Sequence, residues 1–132
     1  MVRGGGEKGI NWHEQGKLEK KVNSFHDFIS CAEWLIAERL THPNLLCAKG
    51  TSAGATLVAQ ACLNMRPELF KAVILEVPFL DVLTCLLDES LPLTLTDHLE
   101  FGNPIKDKQI YELIQSYSPY DNIIKQNYPN FF

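Results

Sequence analysis

Apolar residues recur at three- and four-residue intervals from Phe25 onward: Phe28, Ile29, Ala32, Leu35, Ile36 and Leu40 follow it. That spacing makes one stripe on a helix, and Asp27, Glu33, Glu38 and Arg39 fall mostly off it. Ser24 stands at the expected N-cap, with Asp27 as its capping-box partner. Pro43 closes the pattern, since proline disfavours helical backbone in the residue before it. Leu45 to Lys49 is then a short, mostly apolar run between turn residues, as in a strand covered on both faces. Residues 53–65 are rich in Ala, Leu and Val and predict a buried helix ending near Arg66-Pro67. A second strand is predicted over residues 72–77, closed by Pro78. Helix, strand, helix, strand in that order predicts an α/β fold with a parallel sheet.

The flanks are less regular. Residues 1–23 are glycine-rich and then charged, which predicts a loop with little regular structure. After Pro78, prolines at 92, 104, 119 and 129 punctuate short segments, with one helix expected over Lys106–Tyr117 around Ile110, Leu113 and Ile114. Long excursions of this kind between strands tend to carry function. A further apolar run begins at Tyr128-Pro129-Asn130-Phe131-Phe132 and reads as the start of another strand.

Composition narrows the partners. The 132 residues, 45% of them hydrophobic, suit one domain spanning 1–132. A net charge of −4 argues against nucleic acid or an anionic membrane as main partner. The one basic cluster, Lys17, Lys20 and Lys21, lacks interleaved aromatics and reads as a solvated surface. No apolar run approaches the ~20 residues that span a bilayer. Cys31, Cys47, Cys62 and Cys85 lie far apart in apolar stretches. They are expected to be buried free thiols, in a reducing, cytoplasmic setting.

Between the first strand and the second helix stands Gly50-Thr51-Ser52-Ala53-Gly54, a G-x-S-x-G pentapeptide in strand-turn-helix context. A sharp turn there holds a serine out of the chain where a base can reach it, with flanking glycines leaving room for close backbone approach. It also brings the N–H of Ala53 to a helix N-terminus, where it can bond a developing oxyanion. The bland alternative is that the glycines serve a turn and Ser52 caps the helix. Such a serine needs an Asp or Glu and then a His later in the chain. His13, His26 and His42 precede Ser52, and only His98 follows it. Its possible orienting acids, Asp81 and Asp88, lie in the excursion rather than after a later strand, so the geometry argues against a self-contained Ser52–Asp–His98 triad.

Further segments carry a resemblance. They are Arg3-Gly4-Gly5-Gly6-Glu7 with Trp12-His13, Asn64-Met65-Arg66-Pro67-Glu68-Leu69-Phe70, and Val77-Pro78-Phe79-Leu80-Asp81-Val82. Pro92-Leu93-Thr94, Phe101-Gly102-Asn103-Pro104, Tyr117-Ser118-Pro119-Tyr120-Asp121-Asn122 and Tyr128-Pro129 continue the series. With the elbow, they resemble the prolyl oligopeptidase family of serine peptidases, in its oligopeptidase B and prolyl endopeptidase-like branch. The resemblance covers essentially the whole chain.

It implies part of an α/β-hydrolase fold, with Ser52 matching the nucleophile and Ala53 giving one oxyanion-hole N–H. It implies short peptides as substrates, a β-propeller over the active site in complete members, and no metal or organic cofactor. Asp97 and Glu100 fall where oligopeptidase B carries acidic residues that bind Lys or Arg at P1. Carboxylates in a cleft suit such cations, while a solvated acidic helix turn is the alternative. Leu99 and His98 stand where that branch tends to be more acidic, and Ala55 where the family usually has another glycine. Met1 matches an internal family position, so the chain is expected to be the middle of a catalytic domain, truncated at both ends. A different class remains open: a non-catalytic short form that binds partners through its unfinished sheet. An esterase of the same fold shares the elbow but not the other segments.

Overall fold

In the computed structural model, which describes Met1–Phe132, two short strands pair in parallel at the centre of the chain. β1 (Cys47–Thr51) and β2 (Ala72–Glu76) run in register from Cys47 opposite Ala72 to Thr51 opposite Glu76. The chain crosses between them through α3 (Ala53–Ala59), which widens into a π-helical turn over Gln60–Met65. β3 (Asn130–Phe131) pairs in parallel with the other edge of β2, giving the order β1-β2-β3. The parallel α/β layer and the closing strand are as the apolar pattern predicts.

β1 starts later than the run at Leu45 suggests. Leu45 is exposed in the preceding turn, and along the strand only Ala48 and Gly50 are buried. The helices cover one face; on the other, Lys49 Nζ meets Glu76 Oε1 at 2.9 Å. So exposed a pair adds little stability.

α2 (Val22–Ala37) carries the predicted stripe, but begins before Ser24 and ends before Leu40, which is exposed. Ser24 is therefore no cap. It is buried inside the helix, and its hydroxyl donates to Arg3 O at 2.6 Å. Asp27 likewise serves Arg3, accepting from its backbone N–H at 2.9 Å and from Nε and Nη2 at 2.8 and 2.6 Å. Those hydrogen bonds hold the Asp27 carboxyl below its ordinary range. The local capping rule lost to a tertiary contact.

That contact orders the N-terminal segment, which is more regular than its glycines suggest. α1 (Ile10–Glu14) and a 3₁₀ turn (Leu18–Lys20) occupy it. Trp12 Nε1 donates to Val2 O at 2.9 Å, and Gly4 N–H to Trp12 O at 3.1 Å. A Cβ on Gly16 would lie 2.2 Å from Gly4 N, so this crossing requires glycine.

Two apolar clusters hold the molecule together. Ile29, Ala32, Ala48, Val58, Phe70 and Val73 pack helices onto the sheet. Phe25, Val82, Leu86, Phe101, Ile114 and Tyr117 form the second, among α4 (Val82–Leu87), α5 (Thr94–Phe101) and α6 (Lys108–Tyr117). α2 feeds Phe25 to one cluster and Ile29 to the other, and so ties them. Each such large side chain contributes roughly 1.5–3 kcal/mol. α6 matches expectation, but α4 and α5 do not appear in the pattern because they are too short to show a period. The cysteines depart from expectation: Cys62 is buried and Cys85 half-buried, but Cys31 and Cys47 are exposed. No helix is long and apolar enough to cross a membrane.

Candidate active site

The elbow is shaped by main chain. Ser52 N–H donates to Glu76 O at 3.0 Å, carrying the ladder one residue beyond β1. The backbone then turns at Ser52 with φ 54° and ψ −125°, a left-handed φ rare outside glycine. A Cβ at Gly50 would lie 2.6 Å from Gly54 O and 2.8 Å from Ala55 Cα, so only glycine fits there. Around Gly54 there is open space, so only the first of the two glycines is required by packing in this chain.

The turn is locked from β2's side. Ser52 O accepts from Ala55 N–H at 2.9 Å and from Phe79 N–H at 3.3 Å, and the Thr56 hydroxyl donates to Phe79 O. Val77, between these contacts, has φ 40° with a β-branched side chain, an outlier held by its surroundings. Ser52 sits at the N-cap position of α3 yet makes no capping hydrogen bond, and it is exposed. The capping alternative does not hold. Ala53 opens α3, so its N–H has no intrahelical partner.

Ser52 and Ala53 line a cleft of about 440 Å³ together with Val77 and Phe79. Its remaining lining comes from α4, α5 and the turn between them, including Cys85, Leu93, Thr94 and Asp97. Asp97 is thus brought to the cleft of Ser52. Burial pushes its carboxyl above the ordinary value; His98 opposes this and Glu100 adds to it. The Cys85 thiol is pushed up by burial and then by Asp81, Asp88 and Asp97, which makes it a poor nucleophile.

Glu100 does not line this cleft. Its two carboxylate oxygens lie 2.9 and 3.0 Å from His13 Nε2. Beside it Lys21 Nζ stands 4.7 Å from the centre of the Phe101 ring, and burial depresses the lysine's pKa against the pull of Glu100. His98 Nε2 bonds Leu86 O at 2.9 Å, and none of the chain's four histidines lines the cleft. No group of three or more His, Cys, Asp or Glu residues is placed to hold a metal ion. The pattern missed Cys85, Val77 and Thr94 as lining residues. Nothing local marks them, because the excursion reaches the elbow only through tertiary packing.

The model of the prolyl oligopeptidase family matches residues 1–132. The chain belongs to the prolyl oligopeptidase family. Within that family it is 47% identical over 128 residues to a prolyl endopeptidase-like protein of Xenopus laevis, covering 97% of this chain and 18% of the relative. It is also 47% identical to protease 2 of Moraxella lacunata, over 100% of this chain and 19% of that protein. Among solved structures, oligopeptidase B from Leishmania major superposes with a TM-score of 0.94 at 46% identity, over 98% of this chain and 18% of that one. Oligopeptidase B from Trypanosoma brucei with covalently bound antipain matches with the same TM-score at 48% identity, again over 98% and 18% of the two chains. The fold is the α/β-hydrolase fold of these peptidases, and the chain spans less than a fifth of the length of its relatives.

Proposed function

We propose that these residues are the nucleophile-bearing part of the catalytic domain of a serine oligopeptidase acting on short peptides in the cytoplasm. The observation that carries this is Ser52: exposed, uncapped, turned out at a left-handed φ, and facing the cleft that Asp97 shares. In this reading Ser52 Oγ attacks the carbonyl carbon of the scissile bond while a base outside these residues takes its proton. The oxyanion accepts from Ala53 N–H, a donor of a kind worth roughly 10²–10³ in kcat. The amine leaves with that proton, and water then hydrolyses the Ser52 ester. Asp97 meets a Lys or Arg side chain at P1, whose methylene stem lies along the apolar lining. Glu100 adds negative potential from outside the cleft.

The test uses the polypeptide of full family length that contains these residues. A fluorophosphonate is expected to label Ser52, and Ser52→Ala to lose label and turnover, by roughly a million-fold for the latter. The 132-residue chain alone is expected to hydrolyse nothing, because no histidine reaches its cleft. Labelling of a different serine, or turnover by Ser52→Ala, refutes the reading. A second reading, assembly through sheet edges, is favoured by the exposure of Phe131 and Phe132 beside β2. A monomeric chain in sedimentation removes it.

A further inference from the structure

We propose that His13 is a positioning residue for the Asp97 carboxylate, acting through Glu100. The inference rests on the reading that Asp97 recognises a cationic side chain. α5 has a narrow seat: of its eight residues only Thr94 and Phe101 are buried, and Leu95 and Leu99 face solvent. A helix so short gains little from its own hydrogen bonds and depends on contacts for its place. Toward α4 it is held by Thr94 Oγ1, which donates to Cys85 O at 2.9 Å, and by His98 Nε2, which bonds Leu86 O at 2.9 Å. At its other end it is held by His13 against Glu100 and by Lys21 over Phe101. Asp97 lies between Thr94 and His98 on this helix, three residues before Glu100.

The His13 brace is anchored rather than loose. A carboxylate only accepts, so His13 Nε2 carries the proton, and it reaches both oxygens of Glu100 at 2.9 and 3.0 Å. The neighbouring Trp12 ties α1 to Val2 and Gly4, and Arg3 ties that segment to Asp27 of α2. The N-terminal segment is therefore a buttress from α2 to α5. With His13 removed, Glu100 is left to Lys21 alone, and the end of α5 is free to shift toward it.

A displaced specificity carboxylate has a signature that general destabilisation lacks. Arginyl and alanyl peptide p-nitroanilides are compared on the full-length polypeptide carrying His13→Gln, His13→Asn or His13→Ala. Gln can bring an N–H near the place of Nε2, while Asn and Ala cannot. Ala and Asn are expected to raise KM for the arginyl substrate roughly tenfold, with kcat for it and both constants for the alanyl substrate near wild type. Gln is expected to restore most of the loss. Turnover of the alanyl substrate shows at once which variants are folded, and Asn serves if Ala does not fold. An unchanged arginyl-to-alanyl ratio of kcat/KM in Ala and Asn, or an equal loss on both substrates, overturns the role of His13. A wild type without arginyl preference overturns the reading of Asp97 itself, and this inference with it.

Discussion

On one side of the Ser52 cleft main chain does the holding: a strand ladder continued by Ser52 N–H, a close approach at Gly50, and a strained Val77. On the other side α5 is placed by side chains: Thr94 and His98 reach α4, Glu100 meets His13 of α1, and Lys21 lies over Phe101. The elbow wall has almost no freedom, since even a Cβ at Gly50 would lie 2.6 Å from the backbone oxygen of Gly54. The α5 wall is adjustable one side chain at a time. The wall that carries Ser52 is therefore fixed while the α5 wall is open to tuning, the division that the proposed reading needs if chemistry stays constant and specificity varies.

The hardest blow to the elbow wall is Gly50→Ala. Its Cβ would meet the backbone of Gly54 and Ala55, which have nowhere to move without breaking the turn. A loss of about 3 kcal/mol or more is expected by urea denaturation, in the upper range of overpacking. A loss below ~1 kcal/mol would show that the elbow relaxes, and the contrast between the walls would fall. Next comes Thr56→Val. It removes the donor to Phe79 O and leaves a partly buried carbonyl unpaired, which costs roughly 1–3 kcal/mol. An unchanged urea midpoint would mean that solvent replaces the hydroxyl.

The same contrast governs what could be read from the chain. The elbow was legible because a main-chain constraint leaves its trace in adjacent residues: Gly50 and Ser52 between an apolar run and an Ala-rich helix. The α5 wall is legible only as acidic residues near a family motif, and Glu100, expected with Asp97 at a P1 cation, pairs with His13 outside the cleft lining. Their partnership spans 87 positions of sequence, and nothing near either residue announces it. Ser24 and Asp27 teach the same lesson from α2. Their spacing satisfies a local capping rule, but Arg3, 24 positions before Asp27, claims them both.

Strain gives a smaller effect of opposite sign. Val77→Gly relieves a φ of 40° at a residue 79% exposed, so little burial is lost. Relief of roughly 1–3 kcal/mol is offset by the greater entropy of glycine when unfolded, about 0.5–1 kcal/mol. A gain of about 1 kcal/mol is expected, read as a higher urea midpoint at an unchanged slope. A lower midpoint would mean that the Val77 side chain contributes more at the rim than its strain removes.

The smallest effect distinguishes a site from a surface. Asp97 has a folded pKa above its ordinary 3.8 because of burial, with Glu100 adding to the shift. Between the unfolded and folded values the folded chain holds more protons, so stability falls as pH rises through that window. At neutral pH the full penalty is present. Asp97→Asn removes the charge, so it is expected to be slightly more stable than wild type at pH 7, the difference closing below about pH 4. Binding moves the other way: the same variant is expected to raise KM for an arginyl substrate, and wild type to show the same rise as pH falls through the raised pKa of Asp97. A carboxylate that weakens folding while strengthening binding belongs to function rather than to the scaffold. If Asp97→Asn is less stable at pH 7, Asp97 is a structural residue of α5, and the tunable wall loses the group it was built to hold.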